Sequence, residues 1–261
     1  FTVRKLHFVK DYMQNSAVKN FLAVKSFFKK LHNYASVLKI ELSKGKDFVM
    51  PDYNVFPDYK TRKEIINELC DRYKFIKHCF AGKSVCGRGI DVLHIGNTKN
   101  RVLYCGGFHG SEYLTILALL KFSEECCEAM ESDRTVGGCK IGNFLSIRGL
   151  TIVPCVNPDG TEIALHGSDA AFKYKPLVEK VCTDTYKWQA NARGVDINHN
   201  FNAGWCRLKQ LELKNNIKCP APTRFGGNHP ESEPETKALT TLCRNICLLY
   251  TSPSPRDGLL S

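Results

Sequence analysis

The order of apolar and polar positions predicts a body in which strands and helices alternate. A helical pattern at 61–74 precedes two strand patterns within 75–96, joined by the turn CGRG, and a third strand at 101–105. A helix is then predicted at 111–130 and a strand at 149–156. Because several strands are continuously apolar, we expect an α/β fold with a mixed, mainly parallel sheet and helices on both faces.

A further helix is predicted to begin near Pro234. In SEPETKALTTLCRN, Ser232 stands at the expected N-cap, proline occupies the first turn, and acidic residues lie beside the positive end of the helix dipole. The apolar run ICLLY, 246–250, is predicted to form a strand after this helix. In sheets of this kind, sites form at the carboxyl ends of the strands.

Two end segments differ from the body. Residues 17–42 carry apolar positions at helical spacing with lysines between them, which indicates a basic amphipathic helix within an N-terminal extension, 1–49. Residues 251–261 contain two prolines and three serines and are predicted to be an atypical tail. The remaining residues, 50–250, are expected to form one catalytic domain.

The positive charge is concentrated in the N-terminal extension. The net charge is +11, of which residues 1–49 contribute +7 from ten Lys/Arg and three Asp/Glu. The body is therefore only mildly basic, and we predict no nucleic-acid partner for it. An alternative stays open, in which the basic helix recruits the chain to anionic lipid or nucleic acid.

Neither a membrane span nor a cysteine zinc site is indicated by the sequence. The wholly apolar stretch LTILALL, 114–120, is much shorter than the roughly 20 residues that a transmembrane helix needs. The 13 cysteines include no CxxC pair, so reduced thiols are favoured. Without a recognisable signal peptide, a cytoplasmic location is predicted, with an exported or spore-associated one as the alternative. The sequence leaves the oligomeric state open.

A histidine and a glutamate stand where an apolar strand turns into a buried helix. In GGFHGSEYLT, His109 and Glu112 lie three residues apart, so their side chains can reach one point on a helical turn. A buried carboxylate needs a cationic partner, and a zinc ion satisfies imidazole and carboxylate together. A His–Glu hydrogen bond that caps the helix is the alternative. His166, in HGSD, follows no apolar strand and is interpreted as a decoy.

The segment WQANARGVDINHNFNAGW, 188–205, has the composition of a binding loop. Asn198 and His199 can donate hydrogen bonds to a carboxylate, and Arg193 supplies a permanent cation with fork geometry. A surface loop tied by its asparagines is the alternative. VPCVNPDG, 153–160, is interpreted as scaffolding, with Gly160 expected at a positive φ.

In this order, GGFHGSEYLT, VPCVNPDG, NARGVDINHNF and PESEPETKAL resemble the zinc carboxypeptidase family over about residues 80–250. The sequence of the loop at 188–205 is similar to that of the bacterial branch that cleaves γ-D-glutamyl-diamino acid bonds of peptidoglycan peptides. The resemblance implies a zinc-carboxypeptidase-like fold, a murein-derived peptide substrate, and one zinc ion bound by His109 and Glu112. It also implies that Asn198 holds the substrate's terminal carboxylate, beside His199 where the family often has arginine. Arg193 is the nearest candidate for the catalytic, carbonyl-polarising cation, although the family arginine could align with Gln189.

The sequence departs from the family pattern after the helix at Pro234. Family members have a third zinc ligand, a histidine, after the next strand, and later a tyrosine and a glutamate that acts as general base. Here Thr251 follows ICLLY, and His229 precedes the helix. We therefore expect a fold that is incomplete at the C-terminus, no third protein ligand, weak zinc binding and little turnover. The predicted function is that of a zinc metallopeptidase acting near a peptide end; a non-catalytic peptidoglycan-peptide binding module is the alternative.

Overall fold

The computed structural model describes residues 51–136 and 138–246. Its helices are α1 (Tyr59–Arg72), α2 (Tyr113–Glu131), α3 (Ile141–Ile147), α4 (Pro158–His166), α5 (Lys175–Val181), α6 (Trp205–Lys214) and α7 (Pro234–Asn245). Its strands are β1 (Lys77–Lys83), β2 (Gly89–Gly96), β3 (Val102–Cys105), β4 (Thr135–Val136), β5 (Cys139–Lys140) and β6 (Gly149–Val153). The predicted N-terminal extension, most of the ICLLY strand and the predicted tail lie outside the described residues.

Four strands form the main sheet, in the order β1-β2-β6-β3. The pairs β1–β2 and β2–β6 are antiparallel, and β6–β3 is parallel. The mixed α/β fold is confirmed, but in this described sheet parallel pairing does not predominate. The reason lies in the connections: residues 84–88 are too few for a crossover, whereas the chain between β3 and β6 contains α2 and permits parallel pairing.

Helices cover both faces of this sheet, as the alternation along β2 requires. Ile90 and Val92 belong to the core that includes Leu239 of α7. Between them, Asp91 points to the opposite face, where its Oδ1 accepts a hydrogen bond of 2.7 Å from Lys63 Nζ of α1. Side chains alternate across a strand, so α1 and α7 lie on opposite faces.

Two local predictions are wrong, and both corrections come from distant contacts. The N-cap of α7 is Glu233, not Ser232, because the Ser232 hydroxyl is engaged by the amide of Asn200 and donates to the Glu233 carboxylate. Gly160 lies in the first turn of α4 rather than at a positive φ. A Cβ at Gly160 would lie 2.4 Å from the Ala190 carbonyl oxygen, so close approach is what requires glycine there.

Along the part of the chain that the structure describes, no helix has both the length and the apolar character needed to cross a bilayer. The location of the protein stays a prediction.

Candidate functional site

The metal pair, His109 and Glu112, lies at the carboxyl end of β3, in the segment that leads into α2. Glu112 is the N-cap residue of α2. His109 is buried, and its Nδ1 lies 2.8 Å from Glu112 Oε1. Gly107, at φ 57°, makes this turn possible, since a Cβ there would meet Cys155 and Ile116 at 3.0 Å. The two side chains therefore converge as the spacing predicts.

A second carboxylate lies behind the imidazole of His109. Asp196 is buried, and its Oδ1 lies 3.3 Å from His109 Nε2. The same carboxylate accepts backbone N–H hydrogen bonds from Asn198, at 3.1 Å, and from Arg224, at 3.0 Å. Sequence reasoning missed Asp196, although an acidic residue between the apolar residues Val195 and Ile197 is a detectable signal.

The metal pair offers two side chains of the kinds that bind a zinc ion. Both carboxylates are acceptors, so His109 satisfies them either as an imidazolium or with a metal ion in place of the Nδ1 proton. A carboxylate that fixes the ring of a metal-ligating histidine is the usual outer partner in zinc sites. His109 and Glu112 would hold the ion, and Asp196 would orient the imidazole. Within the described residues, no group of three or more His, Cys, Asp or Glu side chains is arranged to hold a metal ion; Thr251 lies outside them.

The predicted substrate residues lie in the loop at 188–205, which we call the substrate loop. This loop contacts the metal pair through Asp196. Asn198 and His199 lie in a short 3-10 helix, Ile197–His199, whose N-cap is Asp196. His199 Nδ1 hydrogen-bonds the carbonyl oxygen of Arg224 at 2.8 Å. The structure thus brings Asn198 and His199 to the side of the molecule that holds His109.

Arg193 is joined to a different element. Its Nε donates to Glu233 Oε2 at 2.9 Å, immediately before α7. Gln189, the alternative position for the family arginine, accepts a hydrogen bond from Thr223 Oγ1 at 2.7 Å. The contacts therefore link Arg193 to the start of α7 and not directly to the metal pair.

The predicted scaffold, VPCVNPDG, connects the two loops of the site. Asn157 is buried, and its Nδ2 donates to the carbonyl oxygens of Phe108 and Ala190, both at 3.0 Å. Its Oδ1 accepts from Gly160 N at 2.9 Å. The scaffold interpretation is confirmed, because one amide holds the segment of His109 against the substrate loop.

Two buried acids, Asp159 in the scaffold segment and Glu235 in the first turn of α7, were not recognised as buried from the sequence. Asp159 accepts hydrogen bonds from Ser84 Oγ and Arg88 Nη1, at 2.8 and 2.7 Å. Glu235 accepts from Val85 N at 3.0 Å and from Asn191 Nδ2 at 3.3 Å. Burial, with a further contribution from the charge of Asp159, raises the pKa of the Glu235 carboxyl to about 8.

His166 lies apart from these groups. It is in the last turn of α4, and its half-exposed ring lies 3.3 Å from Asp58 Oδ2. This contact with Asp58 agrees with the prediction that His166 only resembles the metal-binding motif.

Comparison with known proteins shows which family this chain resembles in sequence. A family model described as zinc carboxypeptidase matches residues 62–253. The chain is 31% identical over 191 residues to γ-D-glutamyl-L-diamino acid endopeptidase 1 of Lysinibacillus sphaericus, covering 72% of this chain and 47% of that protein. It is 26% identical over 199 residues to rat carboxypeptidase B, covering 74% and 43%. The chain spans about half the length of the curated relatives it matches.

Solved structures share the fold. Bovine thrombin-activatable fibrinolysis inhibitor, in complex with tick carboxypeptidase inhibitor, matches with a TM-score of 0.54 and 21% identity over 74% of this chain and 57% of its own. Carboxypeptidase A from Helicoverpa armigera matches with a TM-score of 0.54 and 22% identity over 73% and 43%. With the family model covering most of its length, this chain belongs to the zinc carboxypeptidase family.

Proposed function

We propose that this protein is a zinc-dependent peptidase that hydrolyses an amide bond in γ-D-glutamyl-diaminopimelate peptides of the cell wall. The observation that carries the proposal is the position of His109, buried between the carboxylates of Glu112 and Asp196. The endopeptidase similarity supports the substrate class, since that relative is named for γ-D-glutamyl-L-diamino acid bonds.

The metal pair and Asp196 have separate tasks in this proposal. Zinc, when bound, polarises the scissile carbonyl and lowers the pKa of a bound water toward 7. His109 and Glu112 would hold the ion, whereas Asp196 would keep the imidazole ring in one orientation. Asn157 keeps the ligand-bearing segment and the substrate loop in register through two carbonyl hydrogen bonds.

The substrate loop would bind the peptide end. Asn198 and His199 are proposed to hold a carboxylate, and Arg193 is proposed to bind the anionic peptide and to polarise its carbonyl. A histidine is a weaker and pH-dependent carboxylate anchor compared with arginine. His199 therefore favours a peptide whose end differs from an ordinary C-terminal amino acid.

Zinc binding is proposed to be weak because Thr251 stands where the family has its third ligand. Threonine is not among the usual zinc ligands, which are cysteine, histidine and carboxylates. In this proposal the chain supplies His109 and Glu112, and a Thr251→His variant should bind zinc more tightly than the parent chain.

The experiment combines zinc titration calorimetry with peptide hydrolysis. The substrate is a γ-D-glutamyl-diaminopimelate peptide, and hippuryl-phenylalanine represents carboxypeptidase substrates. We expect zinc binding that is lost in His109→Ala and Glu112→Gln, and slow cleavage that prefers the cell-wall peptide. His166→Ala is the matched control, because its half-exposed ring is paired with Asp58 and not with the metal pair.

Each outcome separates the proposals. Zinc-dependent peptide binding without any cleavage would favour the binding module over the peptidase. Faster cleavage of hippuryl-phenylalanine would contradict the substrate class, and unchanged zinc binding in both metal-pair variants would contradict the site.

A further inference from the structure

A second buried network surrounds Glu233, at the start of α7. Its Oε2 accepts hydrogen bonds from Asn191 Nδ2 at 2.7 Å and from Arg193 Nε at 2.9 Å. Its Oε1 accepts from Ser232 Oγ at 2.7 Å. Three donors from two segments of chain therefore converge on one buried carboxylate.

The same residue also holds the far end of the substrate loop. The backbone N–H of Glu233 donates to Asn200 Oδ1 at 3.1 Å. The Asn200 amide in turn donates to Ser232 Oγ at 2.9 Å. We call these five residues, Asn191, Arg193, Asn200, Ser232 and Glu233, the Glu233 network. Asp196, Asn198 and His199 lie between its two ends in the sequence, so the network fixes both ends of the loop that carries them.

The two charged members of the network, Glu233 and Arg193, differ in their exposure to solvent. The Glu233 side chain is 4% exposed, whereas that of Arg193 is 39% exposed. Within the described residues, Nε is the side-chain atom of Arg193 that is hydrogen-bonded. One edge of the guanidinium is thus fixed to a buried carboxylate, while the side chain as a whole reaches solvent. An arginine held this way loses little further entropy when its fork binds an anion.

We infer that Glu233 is a positioning residue that orients Arg193 and the substrate loop for binding of the anionic peptide. The inference rests on the proposed function, because it assigns Arg193 a peptide ligand. Glu233 acts through Arg193 and does not touch the reacting atoms, so its removal should weaken peptide binding, and any fall in kcat should be no larger than the fall caused by Arg193→Ala.

The test is a double-mutant cycle with Glu233→Gln and Arg193→Ala in the zinc-loaded chain. We measure KM and kcat for the γ-D-glutamyl-diaminopimelate peptide, and its Kd by calorimetry where turnover is too slow. Glu233→Gln weakens the charged hydrogen bond to Arg193, so we expect KM or Kd to rise about tenfold or more. Zinc affinity should stay within about twofold, and Glu233→Gln should add little when Arg193 is already alanine.

Glu231→Gln is the matched control, since its carboxylate accepts only a hydrogen bond of 3.4 Å from Thr240 Oγ1 among the described residues. A readout that needs no substrate is the NMR signal of the Arg193 Nε–H group. The signal should shift and exchange faster in Glu233→Gln, and it should remain unchanged in the control.

The outcomes distinguish the inference from the proposed function. If the parent chain binds and cleaves the peptide but the two substitutions have additive effects, Glu233 is not acting through Arg193, and the inference fails alone. An unchanged Arg193 Nε–H signal in Glu233→Gln would overturn it as well. If the parent chain neither binds nor cleaves the peptide, the proposed function fails and the inference fails with it.

Discussion

The site contains two groups of carboxylates that do different work. At the metal pair, Glu112 and Asp196 flank one imidazole, which is a ligand that can exchange a proton for a metal ion. In the Glu233 network, the carboxylate accepts from an amide, a hydroxyl and a guanidinium. These donors keep their protons at physiological pH. Asp196 and Glu233 are buried to a similar extent, so the chemistry of the partner, rather than depth, separates a metal site from a positioning network.

The metal pair and the Glu233 network should therefore respond to different perturbations. Zinc and acid should act at His109, where a proton and a metal ion compete for the same nitrogen. The Glu233 network should respond mainly to loss of a hydrogen-bond partner. Substitutions that separate these responses test the comparison.

The largest effect is expected for Asn157→Ala, which would disturb both regions together. This amide donates to the carbonyl oxygens of Phe108 and Ala190 and accepts from Gly160. Leaving these buried groups unpaired should lower the free energy of unfolding by about 3 kcal/mol or more. Urea unfolding measures the change. Asn215→Ala, which removes an exposed helix-end hydrogen bond to Leu211, is the control and should cost less than about 0.5 kcal/mol.

Asp196→Asn should affect the metal pair more than the Glu233 network. Replacing the carboxylate behind His109 removes the acceptor that fixes its ring, and outer partners of this kind are worth about 10- to 100-fold in metal affinity. Zinc titration measures the loss. Asp184→Asn, at an exposed aspartate, should leave zinc affinity unchanged. An equal loss in both variants would show that the effect is not specific to the ring.

Glu235 should make stability depend on pH. Its pKa is raised from 4.5 to about 8, so the folded protein holds a proton that the unfolded chain releases at lower pH. The stability from this group is fully present below about pH 4.5 and is lost as pH rises through about 8. Between pH 6 and 9 we expect the loss to be about 3 kcal/mol more in the parent chain than in Glu235→Gln, measured by urea unfolding. Equal pH profiles would contradict the shift.

The smallest effect is expected for Ser232→Ala, which removes one member of the Glu233 network. The hydroxyl accepts from Asn200 and donates to Glu233, so its loss should weaken peptide binding by about 1 kcal/mol, or roughly fivefold. Zinc affinity should not change. Ser146→Ala, at an exposed serine of α3, is the control for calorimetry of peptide binding. A weaker zinc affinity in Ser232→Ala would mean that the two regions are one unit.

The sequence predicted the parts of the site that depend on local spacing. His109 and Glu112 converge because three residues on a turn set their separation, and the apolar run at 101–105 located the strand that leads to them. Asp196 lies 87 residues from His109, so no spacing rule could pair them.

Predictions from local sequence rules were wrong where a distant contact competes with the local one. Ser232 has the residue type of an N-cap, yet its hydroxyl is taken by Asn200 from another loop. Gly160 stands where a turn glycine is expected, yet crowding by the Ala190 carbonyl explains it. Glu235 could not be identified as a buried acid with a raised pKa without the position of Asp159.

The most direct test is a crystal structure of the zinc-loaded chain with anomalous diffraction recorded across the zinc absorption edge. We expect one anomalous peak roughly 2.0–2.2 Å from His109 Nδ1 and from a carboxylate oxygen of Glu112, with Asp196 still on Nε2. A peak on Nε2 beside Asp196, or zinc bound only at other residues, would contradict the assignment of the metal pair.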